Sequence, residues 1–205
     1  MSRFISFEGI EGVGKSTNIA WVQRCLEAKG QEVVCTREPG GTPIAEAIRQ
    51  LLLQTYPEET MLPDTELLLL YAGRIQHVQS VILPALKAGK WVLCDRFYDA
   101  SFAYQGGGRG LSLSRIQALH DWALPDLRPD YTLLFDAPTS MSMQRLADKQ
   151  KDRIENEKEA FFERVRQQYL NLARAESKRF YIINATLSLD AIQETLQNWI
   201  DQWTS

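Results

Sequence analysis

The stretch FISFEGIEGVGKS, residues 4–16, decides the fold of this chain. Its apolar start, Phe4–Phe7, has the length of a short strand, and residues 9–16 match the pattern G-x4-G-K-[S/T]. A helical spacing of apolar residues follows over Ser16–Lys29, and Gly30 ends it. Glycines in such a turn let backbone N–H groups approach phosphate oxygens, and the next helix presents its positive dipole end. The stretch therefore predicts a strand, a phosphate-binding loop and a helix in succession.

The same alternation of strand and helix continues along the chain. Apolar runs predict strands at Phe4–Phe7, Glu32–Thr36, Trp91–Cys94, Tyr131–Phe135 and Phe180–Ile183. Most of these runs are nearly continuous, which is typical of parallel strands covered on both faces. Strands that alternate with helices predict an α/β sandwich around a parallel sheet.

Helical patterns occupy the intervals between these runs. Thr42-Pro43 opens a second helix, because a capping residue precedes a proline in the first turn. A long third helix is expected over Asp64–Lys87, with a bend near Pro84. An apolar stripe from Leu189 to Trp203 predicts the last helix.

Length and composition narrow the class of protein. The 205 residues suit a single domain, 1–205, and the net charge of −3 gives no basic excess for a nucleic-acid partner. Cys25, Cys35 and Cys94 form no metal-binding or disulfide pattern, so we expect buried, reduced thiols. We find no signal peptide and no apolar run long enough to span a membrane. These features predict a cytoplasmic protein without a membrane or nucleic-acid partner.

Two stretches interrupt the alternation of strands and helices. Gly106–Gly110 is rich in glycine and is expected to be a flexible loop. Asp148–Glu159 is rich in charged residues, and we interpret the segment from about 145 to 157 as a mobile lid. No linker or repeat divides the chain.

The loop motif assigns functions to several residues. We expect the phosphates of ATP to bind at Gly9, Ile10, Glu11, Gly12, Val13, Gly14, Lys15, Ser16 and Thr17. The Lys15 ammonium can reach the outer phosphates, and the Ser16 hydroxyl can bind Mg²⁺. Asp95 follows a buried strand and can hold the same ion, the expected Mg²⁺ cofactor, through water. The motif alone leaves a switch GTPase, an ATPase and a small-molecule kinase open, although no Asn-Lys-x-Asp guanine-binding motif is present.

Four further motifs narrow the choice. They are TREPGGT at residues 36–42, DRF at 95–97, AYQGGGRG at 103–110 and DRIE at 152–155. Together they resemble the thymidylate kinase family, in its bacterial type with an arginine in the lid. The resemblance implies a three-layer α/β/α P-loop NTPase fold with five parallel strands in the order 2-3-1-4-5. It also implies a homodimer, with the Asp64–Lys87 helix as a candidate surface, and transfer of the γ-phosphoryl group of ATP to dTMP.

The resemblance also implies an acceptor site for dTMP. The residues it points to are Arg37, Pro39, Leu70, Arg74, Arg96, Ser101, Tyr104 and Gln105. The three arginines would bind the acceptor phosphate, and Pro39 would shape the pocket. Leu70 stands where many relatives have Phe and would form an apolar floor under the base; Tyr71 is the alternative. Ser101 would contact the base, and Tyr104 would exclude a ribose 2′-OH.

The charge that assists transfer is expected in the lid. Gly12 stands where eukaryotic relatives often have arginine, and the resemblance gives the catalytic role of that arginine to Arg153. Lys149 could assist, or Arg153 could act alone. Glu11 would approach the acceptor 3′-OH, and Lys15 and Arg96 complete the expected catalytic set. Phe97 replaces the usual Tyr or His, and Asn184 replaces a frequent Asp beside the adenine site.

Two other interpretations stay open at this level. One is a kinase for a different nucleoside or nucleotide, because selectivity between dTMP and dUMP depends on room around one methyl group. The other is a regulatory protein that binds ATP without transferring its phosphate.

Overall fold

The computed structural model describes residues 2–145 and 152–204. Its sheet contains the five predicted strands, each one residue longer at its C-terminal end or shifted by one. They are β1 (Phe4–Glu8), β2 (Val33–Arg37), β3 (Trp91–Asp95), β4 (Tyr131–Asp136) and β5 (Phe180–Asn184). All pairings are parallel and the order is β2-β3-β1-β4-β5, which confirms the predicted topology.

Helices cover both faces of this sheet. They are α1 (Lys15–Ala28), α2 (Pro43–Leu53), α3 (Pro63–His77), α4 (Leu83–Lys87), α5 (Tyr98–Ser101), α6 (Leu113–Ala123), α7 (Thr139–Arg145), α8 (Glu159–Ala175) and α9 (Leu189–Thr204). On one face Ile5 and Phe7 pack with apolar residues of α1, α8 and α9. On the other, Phe4 packs with apolar residues of α3, α4 and α6. Because successive side chains of β1 point to opposite faces, the sheet contributes to a core on each side. The fold therefore has three layers, with the sheet between two layers of helices.

The exposure of residues on the edge strand β2 differs from the prediction that all three cysteines are buried. Val33 and Val34 are only partly buried, and Cys35 is exposed to solvent. Cys94 on the interior strand β3 is buried, whereas Cys25 on α1 is half-buried. The expectation of three buried thiols was therefore wrong for Cys35, because a strand at the edge of a sheet has a neighbour on one side only.

The helix predictions are confirmed with changes at their ends. Thr42 caps α2, and its hydroxyl accepts a hydrogen bond from Ala45 N at 3.2 Å. The long third helix is interrupted by one π-helical segment, Val78–Ile82, directly before α4. Pro84 lies in the first turn of α4 and cannot donate a backbone hydrogen bond there, which favours a wider turn before it.

The glycine-rich run was wrongly expected to be a flexible loop. Phe102–Gly108 is a second π-helical segment, and it packs closely against α8. A Cβ atom on Gly107 would lie 2.6 Å from Gln168 Cβ, and one on Gly108 would lie 2.5 Å from the Phe161 ring. The glycines therefore permit close packing of backbone against a helix.

Candidate active site

The loop between β1 and α1 has the geometry of a phosphate cradle. Gly9, Gly12 and Gly14 all have positive φ, at 131°, 72° and 91°. A Cβ atom on Gly9 would lie 2.4 Å from the carbonyl oxygen of Phe135, so no other residue fits there. The side chains of Ile10 and Val13 are buried beneath the loop, 2% exposed each, and anchor it to the core.

Lys15 lies across this loop at the N-terminus of α1. Its Nζ donates to the carbonyl oxygens of Gly9 at 3.3 Å and Ile10 at 3.0 Å. Burial, and then the positive charge of Arg96, lower the pKa of Lys15 to about 8. The ammonium is thus held by neutral carbonyl groups, in a place where phosphate oxygens would be stronger partners. Ser16 and Thr17 follow on the exposed side of the helix.

Asp95 at the end of β3 fits a metal site. Its Oδ1 is buried and has no hydrogen-bond partner among the residues that the structure describes. Both Asp95 and Ser16 line the same cleft. Within residues 2–145 and 152–204 no three His, Cys, Asp or Glu side chains cluster as ligands. Few protein ligands are typical of Mg²⁺ that keeps water and binds through phosphates.

Arg96 stands where the loop meets the rest of the cleft. Its φ of 68° is left-handed, a conformation that costs a non-glycine residue on the order of 1 kcal/mol. Its Nη1 donates to Gly9 O at 2.7 Å, and its Nη2 donates to Glu11 Oε1 at 2.9 Å. Tyr104 donates its hydroxyl to both Glu11 oxygens, and its ring lies 4.8 Å from the Arg96 guanidinium carbon.

A buried carboxylate behind Arg96 was not assigned from the sequence. Glu8 accepts hydrogen bonds from Phe97 N and from the hydroxyl of Tyr169, both at 2.7 Å. Burial, and then the negative charge of Asp99, raise the pKa of Glu8 to about 8. Phe97 itself is fully buried in the core, which agrees with the absence of a polar group at that position.

Arg74 of α3 forms the inner wall of the cleft. Its Nε donates to Glu38 at 2.6 Å, and its Nη1 donates to Ser101 Oγ at 3.0 Å. Of the two residues considered for the floor under the base, Leu70 lines the cleft. Tyr71 is 1% exposed and stacks beneath Arg74, with its ring centre 4.7 Å from the guanidinium carbon.

The segment after β2 forms the outer wall. Arg37 pairs with Glu46, not with its neighbour Glu38, and more than half of the Arg37 side chain is exposed. The carbonyl of Pro39 accepts a hydrogen bond from Arg49 Nη1 at 3.0 Å. Arg49 also lines the cleft, although no motif in the sequence singled it out.

Glu66 of α3 gathers the basic residues on the far side. Its carboxylate, 2% exposed, accepts from Gln105 at 2.8 Å, from Arg109 at 3.2 Å and from Arg153 at 2.5 Å. Arg109 also pairs with Glu157. No sequence motif pointed to Glu66, because a single Glu on an apolar helix resembles a solvent-exposed position.

The two ends of the expected lid contact different parts of the cleft. Arg153 donates to Leu52 O at 2.7 Å and to Glu66, so it lies on the acceptor wall. Arg145 at the end of α7 instead donates to Gly12 O at 3.1 Å, and the Ser142 hydroxyl donates to Glu11 O. Lys149 lies outside the described residues.

One cleft of about 340 Å³ connects these parts. The residues predicted for the acceptor all line it: Arg37, Pro39, Leu70, Arg74, Arg96, Ser101, Tyr104 and Gln105. From the loop it is lined by Glu11, Gly12, Lys15 and Ser16. Asn184 lies elsewhere, at the end of β5, where its side chain accepts hydrogen bonds from Thr186.

A phosphate-binding loop that opens into a second, arginine-lined pocket defines the class as a P-loop kinase, a transferase that binds nucleotides. A family model described as thymidylate kinase matches residues 7–196. The chain belongs to the thymidylate kinase family.

Individual relatives agree along nearly the whole chain. A thymidylate kinase of Bordetella pertussis is 49% identical over 96% of this chain and 93% of its own length. One from Pseudomonas putida is 52% identical over 94% and 93%. The crystal structure of thymidylate kinase from Ehrlichia chaffeensis superposes with a TM-score of 0.77 at 32% identity, covering 98% of both chains.

Proposed function

We propose that this chain transfers the γ-phosphoryl group of ATP to dTMP, giving ADP and dTDP. The observation that carries the proposal is the single cleft, with Lys15 and Ser16 at one end and Arg74, Leu70 and Ser101 at the other. An in-line transfer needs donor and acceptor phosphates in one such cavity, screened by fixed positive charge.

The donor end binds ATP through residues 9–17. Backbone N–H groups and the N-terminus of α1 hold the phosphates, and the Lys15 ammonium moves from loop carbonyls to the outer phosphates. Ser16 directly, and Asp95 through water, would hold Mg²⁺, and this ion would neutralise charge on the phosphate oxygens. Asp95 Oδ1 is buried without a hydrogen-bond partner among residues 2–145 and 152–204, which supports this role for Asp95.

The acceptor end binds the nucleoside monophosphate. Arg37, Arg74 and Arg96 bind its phosphate, and Leu70 packs against the base. Ser101 and Gln105 offer hydrogen bonds to the base edge, and both are buried beside Arg74 and Glu66 respectively. Pro39 and Tyr104 limit the space around the sugar.

Charge at the transferred group comes from Arg96 and from the lid, about 145–157. Glu11 lies within the loop and is fixed there by Arg96 and Tyr104, a position suited to the acceptor 3′-OH. Arg153 acts as the arginine of the lid once its contact with Glu66 is exchanged for phosphate. No general base is required, because a phosphate oxygen is itself the nucleophile.

The protein is a single domain over residues 1–205, cytoplasmic, and a homodimer. Leu62 and Leu68 are 65% and 59% exposed at α3, and Trp122 on the adjacent α6 is 76% exposed. Exposed apolar side chains of this size favour an interface between helices. No helix among residues 2–145 and 152–204 could cross a membrane. Light scattering tests the dimer, which Leu68→Glu should weaken.

A coupled assay of ADP release tests the reaction. With ATP and Mg²⁺, dTMP should stimulate ADP release far more than dUMP, dCMP or dGMP, and Lys15→Ala should abolish it. A different preferred nucleotide would indicate another nucleotide kinase. ATP binding without acceptor-dependent ADP release would indicate a regulatory protein.

A further inference from the structure

A buried chain of hydrogen bonds connects Glu8 to Arg96 through Tyr169. The Tyr169 hydroxyl donates to Glu8 Oε2 at 2.7 Å and accepts from Arg96 Nη1 at 3.2 Å. Glu8 and Tyr169 are 0% and 1% exposed. Arg96 lines the cleft, whereas neither Glu8 nor Tyr169 is among its lining residues.

The same carboxylate also holds the backbone around Arg96. Glu8 Oε1 accepts the N–H of Phe97 at 2.7 Å, and the N–H of Arg96 donates to Phe7 O at 2.9 Å. Both peptide groups that flank the left-handed Arg96 are thus bound to the end of β1. A strained residue persists only where its surroundings over-determine it.

The direction of the Arg96 guanidinium depends on three fixed partners. Gly9 O and Glu11 lie in the phosphate-binding loop, and Tyr169 lies on α8. The Tyr169 hydroxyl is oriented as an acceptor for Arg96 because its own hydrogen is donated to Glu8. The pair thereby fixes Arg96 without reaching the substrates.

We propose that Glu8 and Tyr169 are positioning residues for Arg96, which hold its backbone and guanidinium at the junction of the donor and acceptor sites. The proposal rests on the function proposed above, in which Arg96 binds the transferred charge. A group that must be placed accurately in the transition state affects kcat more than substrate binding.

A double-mutant cycle tests the coupling. Tyr169→Phe removes only the hydroxyl, Arg96→Lys removes the forked guanidinium, and Tyr181→Phe is the control in a distant aromatic cluster beside Trp199 and Trp203. We expect Tyr169→Phe to lower kcat roughly tenfold and to change the KM for dTMP less than threefold. The kcat of the double variant should equal that of Arg96→Lys alone to within about twofold.

The outcomes separate a positioning role from a structural one. A Tyr169→Phe enzyme with a lower Tm and unchanged kcat would refute the proposal, and so would losses that multiply in the double variant. If Tyr169→Phe does not fold, Glu8→Gln gives the same readout, because an amide preserves the shape and the bond from Phe97 N. A wild-type enzyme without dTMP-dependent ADP release would instead reject the proposed function.

Discussion

Replacing Glu66 by Gln tests the buried ionic cluster between α3 and the end of the lid segment. The substitution keeps the shape of the side chain but removes the charge that faces Arg109 and Arg153. Glu66 is 2% exposed and the two arginines are 15% and 16% exposed, so water screens the cluster only partly. Breaking a fully buried pair costs about 3–5 kcal/mol, and this partial exposure places the expected loss at about 2–3 kcal/mol.

Equilibrium urea unfolding at pH 7 measures this loss directly. For a domain of this size the corresponding fall in Tm is about 5–10 °C. Asp64→Asn is a matched control on the same helix, because Asp64 pairs with Arg115 while both side chains are more than half exposed. The control should change the free energy of unfolding by less than about 0.5 kcal/mol.

The pH dependence provides a second check on Glu66→Gln. Burial alone would raise the pKa of Glu66, but hydrogen bonds from Arg109 and Gln105 outweigh it and hold the pKa below the ordinary 4.5. A depressed pKa stabilises the fold above that ordinary value, and the contribution is lost as the pH falls through the folded-state pKa. The difference in free energy of unfolding between wild type and Glu66→Gln should therefore become smaller below pH 4.5. A loss under about 1 kcal/mol at pH 7, or a gap unchanged at low pH, would refute the reasoning.

Three further predictions concern the loop, the lid and Glu8. Lys15→Ala should lower kcat more than roughly 100-fold with an unchanged circular dichroism spectrum, and near-normal turnover would contradict its role. Arg153→Ala should lower kcat strongly, and Arg145→Ala is measured in parallel for comparison. If Arg153→Ala lowers kcat by less than roughly threefold, the arginine that assists transfer is a different residue. The pKa of Glu8 is raised from 4.5 to about 8 in the folded protein. The protonated side chain therefore contributes stability that is fully present below pH 4.5 and is lost as the pH rises through about 8. In urea unfolding at pH 5, 7 and 9, the free energy of unfolding of the wild type should thus decline as the pH rises, and that of Glu8→Gln should not. If both free energies changed in parallel with pH, the assignment would be contradicted.

The fold followed from patterns that depend on local physics. The strand order was predicted from the family resemblance and is the one observed. The glycine spacing of residues 9–14 requires positive φ, and continuous apolar runs require cover on both faces, so the loop and the strands were predictable from the residues themselves. The exposure of Cys35 was not, because an edge strand and a central strand of similar composition differ only in their neighbours. The helical state of Gly106–Gly108 depends on contact with α8, which lies some fifty residues later in the chain.

The candidate site likewise contains residues that could be predicted from the sequence and residues that could not. Residues such as Arg74 and Ser101 were predicted from the family resemblance, and both line the cleft. Glu66 and Tyr169 were missed because their importance comes from partners far apart in sequence. Arg153 was predicted as the arginine of the lid, but its contact with Glu66 depends on packing that no local pattern encodes.

The close packing of the glycine-rich π-helix against α8 has a consequence for how the molecule opens. Since backbone at Gly107 lies directly against Arg164 and Gln168, the two segments cannot separate by side-chain rearrangement alone. Amide hydrogens of both segments should therefore exchange with solvent in one cooperative opening, with a common free energy. The wall that holds Tyr104 and Gln105 would then lose its shape only when α8 also detaches.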